Sequence, residues 1–204
     1  DQSLLTDKWE DIINDDEIEI VIEVMGGIEP ARTMILEALH AGKNVVTANK
    51  DLVATHGHEL LEAAEESGVD FLFEAAVAGA IPIIRPLKQC LAANEIQEVI
   101  GIVNGTTNFI LTKMIRENMK FEDALALAQK LGYAERNPAA DIEGADACRK
   151  ICILASLAFG RHVYPEQVHT EGITNISLAD VEYAEQWGGV VKLIGRVKQM
   201  ESGK

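Results

Sequence analysis

Between residues 18 and 75 the hydrophobic period of the sequence switches back and forth between two and about 3.6, and this alternation restricts the fold more than any other feature. IEIVIEV is a short apolar strand. EPARTMILEALHAG repeats its apolar residues at helical spacing, with Pro30 near the first helical position and Gly42 placed to end the helix. NVVTA is a second strand, GHELLEAAEESG a second helix and VDFLFEA a third strand, so the segment reads β-α-β-α-β. Right-handed crossovers make such a unit half of a Rossmann-like doubly wound parallel sheet, which holds ligands at the carboxyl ends of its strands. Met25-Gly26-Gly27-Ile28, Ala48-Asn49-Lys50 and Ala76-Val77-Ala78-Gly79 follow the three strands and are expected to line one rim. The Gly26-Gly27 turn lets backbone approach a flat ligand, or is an ordinary strand-to-helix turn. Lys50 alone reads as a solvated lysine, whereas Glu74, at the end of an apolar strand, is costly unless it is paired or bound to a cation.

A change of domain is expected near Pro82 to Pro86, giving residues 1–83 and 84–204, the second part an α+β domain. There RPLKQCLAAN is helix-like, EIQEVIGIVNG alternates as a strand, and TTNFILTKMIRENM is a helix that Thr106, Thr107 or Asn108 can cap. The turn from Asn104 to Asn108 offers backbone amides to a carboxylate or a nicotinamide amide, or is simply a cap. FEDALALAQKL is an amphipathic helix that Gly132 stops. After it the chain is expected to be irregular from Tyr133 to Glu143, and then Asp141 or Glu143 with Gly144 opens the apolar helix ADACRKICILASLAFG, which Gly160 ends. Glu135, Asp141, Glu143 and Asp146 crowd carboxylates into this stretch, and Asp146 and Lys150 lie four residues apart on one helix face. They read either as a surface ion pair or as something sharper. A lysine among carboxylates at a partly buried helix start stays protonated and can give a proton to a developing alkoxide, while the acids hold a substrate's ammonium and hydroxyl.

Past Gly160, Pro165 opens a short helix, Ser177 and Asp180 form a capping box, and VVKLIGRVK alternates as a strand. The strands around Glu98 to Val103 and Val190 to Val197 leave one apolar face over, which predicts a two-fold homodimer.

Charge and composition narrow the partners. A net charge of −15 and a pI near 4.7 argue against nucleic acid or an anionic membrane surface. The uncharged apolar run Ile151 to Phe159 is too short to span a bilayer, and the acidic opening lacks a secretory leader, so the cytoplasm is expected. Three cysteines, an odd number, fit a reducing compartment; Cys148 and Cys152 on successive helix turns need further ligands to hold zinc. His56, His58, His162 and His169 form no partner pattern.

From Ala128 to Lys150 the spacing A-x3-G-Y-A-x2-N-P-x2-D-I-x-G-x-D-x3-K resembles the signature of homoserine dehydrogenases. VIEVMGGIEPA, VVTANK, FEAAVAGAIPII and GIVNGTTNFIL extend the resemblance over nearly the whole chain, in that family's order. The resemblance implies an oxidoreductase that interconverts L-homoserine and L-aspartate 4-semialdehyde with NAD(P)(H), in the biosynthesis of threonine, methionine and isoleucine. It implies catalytic roles for Lys150, Lys50, Asp146 and Asp141, and substrate contacts from Glu135, Asp146, Tyr133 and Lys150. Gly26, Lys50, Gly132 and Asn104 fall beside the cofactor, and Glu74, Val77, Gly79 and Ile81 around a monovalent cation, sodium or potassium. One departure stands out: no G-x-G-x-x-G turn for a pyrophosphate occurs anywhere in the sequence. The expectation is therefore a chain lacking the first half of the nucleotide-binding fold and the late glycine-rich return to it, binding dinucleotide weakly and turning over nothing alone. NAD and NADP stay undistinguished, because the residue that reads the ribose 2′ position belongs to that half. Two alternatives remain open, a non-catalytic fragment that folds and dimerises, and another amino-acid semialdehyde dehydrogenase with a lysine acid.

Overall fold

The computed structural model describes residues 4–200, which divide into two compact units between Asn94 and Glu95. In chain order the first unit contains α1 (Trp9–Ile13), β1 (Ile20–Glu23), α2 (Ala31–His40), β2 (Asn44–Thr47), α3 (Lys50–Ser67) and β3 (Phe71–Leu72). The strands form one parallel sheet in the order β1-β2-β3, with Val21 opposite Val45 and Val45 opposite Phe71. Both crossovers are helices, as the alternating pattern requires. Ile35 and Leu39 of α2 and Leu52 and Leu60 of α3 are fully buried with Val45, whereas Ile20, Ile22 and Leu72, one residue out of phase, are more than half exposed.

Local chemistry moves two boundaries in this unit. The helix expected to open at Gly57 begins seven residues earlier at Lys50, because the Asn49 carboxamide accepts from the Leu52 amide (3.1 Å) and Leu52 and Val53 are buried on its inner face. Val53, Thr55 and Gly57 are weak helix formers, and packing overrides their propensity. The helix expected over RPLKQCLAAN shrinks to the single turn Pro86–Cys90, none of whose residues is buried. Nothing apolar holds it longer.

The second unit contains β4 (Glu98–Gly101), α4 (Gly105–Glu117), α5 (Phe121–Lys130), α6 (Ala139–Ile142), α7 (Ala145–Phe159), α8 (Leu178–Gln186) and β5 (Gly195–Lys198). β4 and β5 pair antiparallel, Val99 opposite Val197 and Gly101 opposite Gly195. The strand expected from Val190 therefore pairs only over its last four residues, which is all that β4 offers. One core joins Ile110, Leu111 and Met114 of α4 to Ala124 and Ala128 of α5, Ile173, and Val181 of α8. The capping box on α8 forms, with the Ser177 hydroxyl (2.6 Å) and amide (2.8 Å) donating to Asp180 Oδ2 and together holding the Asp180 carboxyl below its ordinary value. The segment expected to be irregular after Tyr133 contains the one-turn α6, opened behind Pro138. Among the described residues no helix is long and apolar enough to cross a membrane.

Candidate active site

The carboxylates and lysine of the stretch from Ala128 to Lys150 meet around one residue. α7 begins without a side-chain cap, at Gly144 in the left-handed region (φ 90°), so neither Asp141 nor Glu143 caps it. Asp146 sits in its first turn, where the helix N-terminus favours a negative charge, and is buried. Lys150, one turn on, donates from Nζ to Asp146 Oδ2 (2.7 Å) and to the Val103 carbonyl (2.9 Å). The same Asp146 oxygen accepts from Asn104 Nδ2 at 2.8 Å, and Asn104 Nδ2 also donates to Asp141 Oδ1 at 2.7 Å. Asn104, the residue that caps α4, is buried; its Oδ1 accepts from the Thr107 amide (2.8 Å) and the Thr107 hydroxyl (2.7 Å). The cap expected at Thr106, Thr107 or Asn108 thus lies two to four residues upstream, at Asn104, because the side chain that accepts must precede the helix.

The surface-ion-pair reading of Asp146 and Lys150 fails on burial: their side chains are 6% and 18% exposed. Asp141 belongs to the same cluster yet reaches Lys150 only through Asn104 and Asp146. Gly132, at φ 79°, turns the chain after α5, and the Thr106 hydroxyl donates to the Tyr133 carbonyl at 2.7 Å. The Tyr133 ring stacks on Phe109 with centroids 4.7 Å apart and stays more than half exposed. Glu135 is exposed on the following loop, and among the described residues no hydrogen bond or ion pair joins its carboxylate to the cluster. A half-buried ammonium with two donors committed, one buried and one partly buried acid beside it, and an exposed acid and phenol on the loop beyond can bind a polar substrate and move one proton.

In the first unit, Gly26 and Gly27 both take positive φ (79° and 75°), and the space where a Cβ would stand is open at each. A residue missed in the sequence holds this turn. Glu23 is buried at the end of β1; its Oε1 accepts from the Met25 amide (2.7 Å) and the Gly26 amide (3.0 Å), and its Oε2 from the Thr47 hydroxyl (2.5 Å). Asn49 closes the rim by donating to the Gly27 carbonyl at 2.6 Å, so the Gly26-Gly27 and Asn49-Lys50 turns are tied together. The signal was available, since Glu23 shares the parity of buried Val21 in a period-two strand. Lys50 is the first residue of α3, partly exposed beside this rim. The space beside Gly26 and Gly27 is open, so the backbone of this turn can be approached closely.

Glu74, expected to be paired or bound to a cation, finds partners in backbone amides. Its Oε1 accepts from the Ile83 and Ile84 amides (2.7 and 2.9 Å) and its Oε2 from the Arg85 amide (2.7 Å). Burial pulls this carboxyl up, but the three amides together outweigh it and hold it below its ordinary value. Between Glu74 and Ile83 the loop places Ala78 and Ala80 at φ 58° and 62°, a conformation L-residues avoid. The two Glu74 oxygens keep a lone pair beyond these three bonds, the acceptor chemistry that a small hard cation requires. Glu74→Gln removes part of this acceptor set and is expected to destabilise the protein by about 1–3 kcal/mol in thermal or urea unfolding. A group with a depressed folded pKa stabilises above its unfolded pKa and loses that contribution as pH falls through the folded value. The difference between Glu74→Gln and the parent should therefore shrink below roughly pH 4.

Among the described residues no group of three or more His, Cys, Asp or Glu side chains is arranged to hold a metal. Cys148 and Cys152 are buried in α7, and burial, with Cys148 beside it, pushes the Cys152 thiol up to about 12. Such a thiol is an inert core residue.

The first unit is a parallel β-α-β-α-β sheet with a glycine rim, a fold class that binds nucleotides, and the second buries an acid–amide–lysine cluster. The chain belongs to the homoserine dehydrogenase family: residues 82–203 match the family model for homoserine dehydrogenase and residues 1–74 that for its NAD binding domain. It is 54% identical over 191 residues to the homoserine dehydrogenase of Corynebacterium glutamicum, covering 94% of this chain and 43% of that protein. The Synechocystis homoserine dehydrogenase is 52% identical over 191 residues, covering 94% of this chain and 44% of the relative. The structure of a homoserine dehydrogenase from Thiobacillus denitrificans superposes with a TM-score of 0.93 at 49% identity, covering 96% of this chain and 46% of that one. A hyperthermophilic archaeal homoserine dehydrogenase in complex with NADPH gives 0.81 at 32% identity, covering 94% of this chain and 56% of that one. The chain thus spans about half the length of the curated relatives it matches.

Proposed function

We propose that the whole protein containing this chain interconverts L-homoserine and L-aspartate 4-semialdehyde with NAD(P)(H). The observation that carries this reading is the half-buried Lys150 ammonium, held by Asp146 and the Val103 carbonyl with its third donor left for a substrate oxygen. When bound, the dinucleotide supplies or accepts the hydride; Gly26 and Lys50 on the first rim are the residues of the first unit that would hold it. Lys150 gives its proton to the aldehyde oxygen as the alkoxide develops, and takes it from the hydroxyl in the reverse direction. Asp146 holds the ammonium in place, and Asp141 supports Asp146 through Asn104. Glu135 and Tyr133 bind the amino-acid end, and Lys50 is a second proton-transfer candidate. A monovalent cation at Glu74 and the carbonyls of Val77, Gly79 and Ile81 would brace the rim rather than enter the chemistry. The changeover between the two family matches, from residue 74 to 82, supports a nucleotide-binding part over residues 1–83 and a catalytic part over 84–204. Since the chain spans about half of its relatives, turnover is assigned to the whole protein.

Glu135→Ala in that protein is expected to raise the homoserine KM roughly tenfold, the worth of one charge-assisted hydrogen bond, with kcat changed far less. Steady-state kinetics with homoserine varied at saturating cofactor reads this, and an unchanged KM removes Glu135 from the substrate site. The same reading includes a two-fold homodimer. Ile100 and Ile102, on and just after β4, expose 60% and 47% of their surface beside the Glu98–Arg196 ion pair (2.5 Å), an apolar strand face with a charged border. Sedimentation at micromolar concentration should give the dimer mass, and Ile100→Lys should give the monomer.

A further inference from the structure

We propose that Asn104 is a positioning residue whose uncharged amide bridges Asp141 and Asp146 and, through Asp146, fixes the Lys150 ammonium. The proposal rests on the assignment of Lys150 as proton donor and extends it to the group that holds its neighbouring acids in place. Two carboxylates accept from a single nitrogen, Asn104 Nδ2, at 2.7 and 2.8 Å. Acids gathered around one atom repel each other, and a donor shared between them relieves this. An amide answers this without a titratable proton: both of its N–H bonds donate, one to each acid, at every pH. Its orientation is not free, because turning the amide over would set its oxygen against both carboxylates and its N–H groups against the Thr107 amide. The titratable groups that face it are Asp141 on α6 and Asp146 with Lys150 on α7; from its own helix the contact is the neutral Thr107, and β4 leads into the Val103 carbonyl that holds Lys150.

Aspartate has the same shape and lacks this property. Asn104→Asp offers one donor when protonated and none when ionised, so a third acid joins the cluster and one proton must be retained there. A carboxyl whose folded pKa is raised is stabilised in its protonated form, and its cost accumulates as pH climbs from the ordinary carboxylate range toward the raised value. Thermal unfolding of the full-length protein and its Asn104→Asp variant, followed from roughly pH 5 to 9, should show a Tm gap that widens with pH by roughly 5 °C. The inverted variant Asn104→Asp with Asp141→Asn and Asp146→Asn sets one carboxylate between two amides, leaves no acid beside another, and should close most of that pH-dependent gap. Homoserine turnover by Asn104→Asp should fall at least about tenfold, with a displaced pH optimum. A gap that stays constant across pH, or an inverted variant whose gap widens with pH as the single variant's does, overturns the proposal. The unfolding measurement needs no turnover, so a widening gap in a protein that ignores homoserine upholds the role of Asn104 and rejects the Lys150 assignment instead.

Discussion

Lys150→Met in the full-length protein is expected to keep the fold and most of the cofactor affinity while turnover falls by roughly 10² to 10⁴, the range for a lost general acid. Methionine matches the length and apolar stem of lysine, and the side chain is only 18% exposed, so the packing of α7 should survive. What disappears is the ammonium between Asp146 Oδ2 and the Val103 carbonyl. Asp146 keeps its bond from Asn104, which limits the penalty of an unpaired buried acid. Single-turnover reduction of the cofactor by homoserine separates this from a binding defect, and a near-normal rate would return Lys150 to a structural ion pair.

The second large effect is on stability. A Cβ on Gly172 would stand 2.1 Å from the Ile142 carbonyl and 2.5 Å from the Glu143 Cα, both backbone, and the Ile173 amide bonds the same Ile142 carbonyl at 2.7 Å. A flexible side chain could swing aside; a peptide between α6 and α7 cannot. Gly144 is closed in the same way, with the Glu171 carbonyl 2.9 Å from its would-be Cβ. Gly172→Ala is expected to cost about 3 kcal/mol or more, beyond the usual overpacking range because backbone must shift. Urea unfolding measures it, and a loss below about 1 kcal/mol would mean the junction between Asp141 and Asp146 is softer than its geometry indicates.

The two cases mark where the sequence was legible. The period-two and period-3.6 segments of the first unit carry their own burial pattern, so its strands and crossovers could be read directly, and the four-residue step from Asp146 to Lys150 placed both heads on one face. Asn104 was singled out for its backbone turn, whereas its side chain does the binding, to partners 37 and 42 residues away that no local spacing encodes. Glu74 was read as paired or bound to a cation, and which amides pair with it, those of Ile83 to Arg85, depends on how the intervening loop folds back. Gly172 carried no signal, since a glycine needed for a close approach looks in sequence like any loop glycine. Strand lengths were overestimated because pairing stops where the partner strand stops.

The account stands most directly on one assay: formation of reduced cofactor when L-homoserine is added to the full-length protein with NAD or NADP, run in parallel on Asp146→Asn. Asparagine keeps the shape but withdraws the charge that holds Lys150. The account predicts homoserine-dependent reduction with L-aspartate 4-semialdehyde as product, reduced at least about a hundredfold in Asp146→Asn. No reduction with homoserine while another amino alcohol is oxidised, or an Asp146→Asn enzyme as fast as its parent, would contradict it.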